Sequence, residues 1–221
     1  MKFIKFEIKN FKNLSQVVFD WDEILFLIGE NNCGKSSVLG ALDCFLSGKA
    51  IKDKDLFRNG VCDELNAIEL IGHFTELTDQ EKANPAVRGH LFGSNWILKK
   101  RFWLETDGTT ENWKEQYSSY QQIETFVGWP ETGRAWTAWP AEYTAAITEV
   151  QTAGYARVND ESRTFLKERI RALRPDLITT QDGWSANPGG GGNWKSNANS
   201  ILPEFIYVRA VQDVNEETQS K

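Results

Sequence analysis

The 221-residue sequence predicts an α/β fold: a short buried strand, a glycine loop and an amphipathic helix make the core, and an antiparallel β-rich lobe with a few helices follows. Three observations predict it. Ile24-Leu25-Phe26-Leu27-Ile28 is a continuous apolar run, too short to favour a helix, and reads as a buried central strand. Gly29-Glu30-Asn31-Asn32-Cys33-Gly34-Lys35-Ser36 comes next, with four residues between its glycines and then Lys and Ser. Val38, Leu39, Leu42, Phe45 and Leu46 then recur at helical spacing and form one apolar face.

Strand, loop and helix in that order are what a phosphate-cradling turn needs. Gly29 and Gly34 let the backbone turn tightly, so that successive amides point inward. The helix that follows adds unpaired N–H groups and the positive end of its dipole. Lys35 then lies along the outer phosphates as a mobile positive charge, and the Ser36 hydroxyl ligates Mg²⁺. Ser37 caps the helix or touches the α-phosphate. Cys33 needs only to be small.

Composition narrows the class. Hydrophobic content of 40% and charged content of 25% are ordinary for a globular chain. No apolar run approaches the roughly 18 residues of a membrane span, and no signal-type segment opens the chain. Cys33, Cys44 and Cys62 have neither metal-site nor disulfide spacing, so a reducing cytoplasm is the expected location. A net charge of −6 argues against a surface that holds nucleic acid by bulk electrostatics.

Taken in order, residues 1–28 read as three strands. Ile4, Phe6 and Ile8 alternate with Lys5, Glu7 and Lys9, Asn10-Phe11-Lys12-Asn13 turns, and Val17, Phe19 and Trp21 alternate again before the central strand. Residues 49–66 are charged and broken by Gly60, a loop or short helix, with Arg58 a weak candidate for approaching a nucleotide or DNA. Ile68, Leu70, Gly72 and Phe74 mark a strand, and Thr78-Asp79-Gln80-Glu81 has capping-box spacing. Trp96 to Leu104 is another strand, in which Lys99, Lys100 and Arg101 read as residues of a wet sheet face; Thr106-Asp107-Gly108-Thr109 turns into a strand over Trp113 to Tyr117.

Trp129, Trp136, Trp139 and Tyr143 read as a packed aromatic cluster, because only Arg134 interrupts them with positive charge. Glu161 to Leu173 is a helix ended by Pro175, its basic residues on a solvated face. Asn187 to Asn199 reads as a flexible glycine- and asparagine-rich loop, and Glu204 to Val211 as a second buried strand ending in Gln212-Asp213. The expected divisions are a core with an N-terminal hairpin (1–66), a β-rich lobe with the aromatic cluster (67–158), a helix with the loop (159–200), and a strand returning to the core (201–221).

These residues carry a resemblance. Lys2-Phe3-Ile4-Lys5-Phe6-Glu7-Ile8-Lys9-Asn10-Phe11-Lys12-Asn13, together with Ile28 to Ser37 continued by Leu39-Gly40-Ala41-Leu42, resembles the start of ABC-type ATPases of the SMC, RecF and OLD (overcoming lysogenization defect) group, most closely OLD-like ATP-dependent endonucleases. Leu202 to Val208 is similar to the strand before their Q-loop.

The resemblance implies the N-terminal half-head of a P-loop NTPase, ABC ATPase-like, with ATP and Mg²⁺ as cofactors. Gly29, Asn31, Asn32, Cys33, Gly34, Lys35, Ser36 and Ser37 would line the nucleotide, Ser36 and Gln212 would meet the metal, and Lys35 and Gln212 would serve catalysis, with Asp213 nearly as well placed. It further implies ATP-driven pairing of two heads as a homodimer or larger assembly, gating DNA binding or an attached nuclease in DNA repair or phage defence.

Hydrolysis in that superfamily needs an acidic pair after a second apolar strand. No such strand-and-pair follows the loop, and Leu46-Ser47-Gly48-Lys49 only looks like a Leu-Ser-Gly-Gly signature. The expectation is therefore the N-terminal part of a longer ATPase that binds ATP but turns over slowly or not at all alone. The alternatives are a nucleotide-binding regulatory or scaffold module without turnover, and a small-molecule kinase.

Overall fold

A computed structural model of the chain describes residues 1–30, 33–130, 135–186 and 193–206. β1 (Lys2–Phe11) and β2 (Leu14–Asp20) form a hairpin whose turn places Asn10 and Lys12 in the left-handed region, at φ 57° and 50°. α1 (Lys35–Leu46) follows, then β3 (Ile68–Thr75), the short α2 (Asp79–Ala83), β4 (Trp96–Asp107) and the long β5 (Thr110–Phe126). α3 (Thr144–Thr152), α4 (Asp160–Leu173), β6 (Ile178–Ala186) and α5 (Asn193–Ile201) complete the elements. The six strands run in the order β2-β1-β3-β4-β5-β6.

The chain divides into two units, residues 1–119 with 186–221, and residues 120–185. In the first, β1, β3 and β4 send alternate side chains inward: Phe6, Ile8, Leu70, Phe74, Leu98 and Phe102 are all 0–1% exposed. α1 lays Val38, Ala41 and Phe45 on this face. Gly72 makes that seating possible, because a Cβ there would stand 2.5 Å from the Phe45 ring. Thr78 and Glu81 form the expected capping box at α2.

The second unit has its own core, in which α3 and α4 pack with Phe126, Trp136, Trp139 and Tyr143. The aromatic cluster is packed, as its composition implied. The basic residues of α4 are not simply solvated: Arg163 lies over the Trp129 and Trp139 rings, and Lys167 over Phe126 and Trp129.

Four expectations are corrected, the last for the part of it that is described. Ile24–Ile28 is not a buried strand; Ile24, Phe26 and Ile28 are 70%, 77% and 92% exposed. A strand exists through its ladder, and β1 already has β2 on one edge and β3 on the other. Residues 193–199 are helix rather than loop, because Trp194 and Ala198 anchor α5 in the core. Lys100 faces inward and is fully buried, not part of a wet face. Within the expected strand at Glu204–Val211, residues 204–206 are not extended into a ladder; 207–211 lie outside the described residues.

Candidate functional site

Gly34 sits at φ 99° and starts α1. A side chain there would be strained by φ alone, and its Cβ would meet the Leu14 side chain at 2.8 Å. The turn so made leaves the N-terminal end of α1 without a side-chain cap and without an acidic residue in its first turn. Its free N–H groups and its dipole therefore favour an anion.

Lys35 folds back over the loop. Its Nζ donates to the carbonyl oxygens of Gly29 and Glu30, both at 2.6 Å, with the Cys33 Sγ at 3.5 Å. An amine held by loop carbonyls and a thiol sulfur can exchange them for phosphate oxygens, with a gain in charge-assisted bonding. Ser36 is exposed on the first turn and borders two cavities. The Ser37 hydroxyl is turned aside to donate to Asn13 Oδ1 at 2.7 Å, which ties α1 to the β1–β2 turn.

Lys12, Asn13, Gly34, Lys35, Ser36 and Ser37 form one wall of an open cavity of about 780 Å³; Asp55, Phe57, Asn59 and Gly60 form the other. That second wall is a pair of 3₁₀ turns fixed to the hairpin by the Lys12 N–H, which donates to Leu56 O at 2.7 Å, and by the Phe11–Phe57 bridge. Its role was not legible in the charged sequence of residues 49–66. Arg58 is exposed on the same turn and does not line the cavity, whereas Asn59 and Gly60 do. Asn31, Asn32, Gln212 and Asp213 lie outside the described residues.

A family model for the AAA ATPase domain matches residues 1–182. The chain belongs to that family. Among curated proteins, none matches the chain. Membership accounts for the chemistry of the glycine loop: an AAA ATPase domain binds nucleotide, and here the loop, the open helix end, Lys35 and Ser36 share one cavity. No group of three or more His, Cys, Asp or Glu among the described residues could cage a metal in this AAA ATPase domain. Mg²⁺ commonly reaches such a site through phosphate oxygens and one or two protein ligands, and the Ser36 hydroxyl fits that role. No helix among the described residues is long and apolar enough to cross a membrane.

The AAA ATPase domain also holds a lysine that the sequence reading misassigned. Lys100 Nζ donates to Phe45 O at 2.6 Å and to Asn199 Oδ1 at 2.7 Å, with the Tyr117 and Phe45 rings at 4.8 and 5.1 Å. Burial pushes its pKa down to about 7, assisted by the nearby charge of Lys195. The signal was present: Lys100 is in phase with Trp96, Leu98, Phe102 and Leu104, whereas Lys99 and Arg101 are not.

Proposed function

We propose that the chain is the ATP-binding head portion of a P-loop ATPase of the SMC and OLD-like kind. The observation that carries this reading is the uncapped N-terminal end of α1, with Gly34, Lys35 and Ser36, opening on the 780 Å³ cavity. The backbone amides of residues 33–36 and the helix dipole take the phosphates, and Lys35 leaves the Gly29 and Glu30 carbonyls for the outer phosphate oxygens. Ser36 would hold Mg²⁺ together with those oxygens, with Gln212 as a further ligand on the resemblance alone. By the resemblance Asn31, Asn32 and Cys33 would also meet the nucleotide, and Ser37 fixes the helix to the hairpin through Asn13.

In the wider reading, ATP joins two such heads, and the joined state gates DNA binding or an attached nuclease in DNA repair or phage defence. The resemblance of residues 1–46 to that group supports it, on analogy of fold and motif. A second reading, binding without turnover, is favoured by the cavity itself: among its described lining residues Asp55 is the single carboxylate. Calorimetry with ATP·Mg²⁺, paired with a single-turnover assay of phosphate release, tests both. Saturable binding with release of phosphate supports an ATPase, binding alone supports the regulatory or scaffold module, and no binding overturns the site.

A further inference from the structure

The two ends of α1 are in different hands. At the first turn the helix meets the candidate nucleotide cavity. At the last turn its Phe45 carbonyl, one of those left without an intrahelical partner, is taken by a buried lysine from β4. The same amine holds Asn199 of α5, and Asn199 shares a contact at 3.4 Å with the Tyr117 hydroxyl.

Gly48 allows this close approach. It turns at φ 66° just past the helix, and a Cβ on it would stand 2.8 Å from the Asn199 side chain. Lys100 forms no ion pair among the described residues, so two neutral oxygens and two rings are what hold its head group. Breaking either oxygen contact would leave a buried donor or acceptor unpaired, which makes the junction stiff.

The chain after α5 returns along α1. Phe205 borders a cavity of about 310 Å³ together with Ser36, Leu39, Gly40 and Asp43, which run from the first to the third turn of the helix. The stretch from Asn199 to Phe205 thus meets the C-terminal end of α1 through Lys100 and borders the same cavity as Ser36.

We propose that Lys100 and Asn199 form a latch that joins the C-terminal end of α1 to α5, so that a nucleotide bound at the N-terminal end of α1 is felt at α5. This rests on the reading of the glycine loop as an ATP site. Lys100 is a positioning residue: it touches no nucleotide and acts through the Phe45 carbonyl. Helix α1 is rigid over the roughly 15 Å from Lys35 to Phe45. A helix seated by phosphate at one end and latched at the other stills α5.

The test is hydrogen exchange of residues 194–206, followed by mass spectrometry on the full chain with and without ATP·Mg²⁺, with calorimetry on the same samples. In the unmodified chain, bound nucleotide slows exchange in α5 by about threefold or more. Asn199→Ala keeps nucleotide affinity within about threefold yet loses that slowing, since the coupling and not the site is removed. Asn199→Asp keeps an oxygen acceptor for the amine and retains the slowing. The latch is overturned if nucleotide binds and α5 exchange is unchanged in the unmodified chain, if Asn199→Ala still shows the slowing, or if Asn199→Asp loses it. Absence of any binding heat in the unmodified chain overturns the ATP site, and the latch with it.

Discussion

Two lysines sit at opposite ends of α1, and both donate to backbone carbonyls. Lys35 holds Gly29 O and Glu30 O in an open cavity, while Lys100 holds Phe45 O inside the core. The first is a mobile charge parked on its own loop, with solvent to take its place. The second is fixed between a helix end, a side-chain amide and aromatic rings, where its charge is costly. The same functional group therefore serves ligand exchange at one end and positioning at the other, and the dielectric around it makes the difference.

Variants that treat the two lysines alike should break this comparison. The largest effect is expected at Lys35. Lys35→Ala removes charge-assisted bonds to phosphate worth about 3 kcal/mol, so ATP affinity measured by calorimetry should fall about 100-fold. Its thermal midpoint should barely move, because the side chain contacts only the loop. Unchanged affinity would remove Lys35 from the site.

Lys100→Ala should show the reverse pattern. At pH 9, where the amine is largely neutral and both hydrogen bonds persist, losing them and opening a cavity should cost about 3 kcal/mol in denaturant unfolding. Nucleotide affinity should change little, and a large loss of affinity with intact stability would erase the contrast between the two ends.

A subtler effect is the pH dependence of that cost. In the folded chain Lys100 loses its proton near pH 7, whereas an unfolded lysine keeps it to about 10.5. Between those values the unfolded chain binds the extra proton, so the folded state gains stability as pH rises. Relative to Lys100→Met, the unmodified chain should gain up to about 1.4 kcal/mol per pH unit from pH 7 to 8.5. Lys195, which pairs with Glu115, and Cys44 act on the group, and the Tyr117 ring packs against it; burial raises the Cys44 and Tyr117 pKa values, which keeps both out of this window. A flat difference would mean that Lys100 keeps its ordinary proton affinity.

Much of the site was legible because its rules are local. Gly34 at φ 99°, Lys35, Ser36 and the apolar face of α1 lie within a dozen residues, and each follows from chain geometry that neighbours alone impose. The far wall, Asp55 to Gly60, was not legible, since its charged sequence says loop and only the bridge to Phe11 says where the loop goes. β3 and Ile24–Ile28 make the same point. Both read as strands in the sequence, but β3 has β1 and β4 beside it and buries its alternate residues, while Ile24–Ile28 has no ladder among the described residues.

By itself, then, the sequence determined the turn at Gly34, the helix after it, the alternation of β1, β3 and β4, and the capping box at Thr78. Tertiary structure alone decided that Asn193–Ile201 is a helix, that Lys100 meets Phe45 and Asn199, and that Arg163 and Lys167 cover tryptophans. The reason is physical: φ preferences and helical period act between near neighbours. Burial, ladder partners and the low dielectric that silences a charge are supplied by residues far away in the chain.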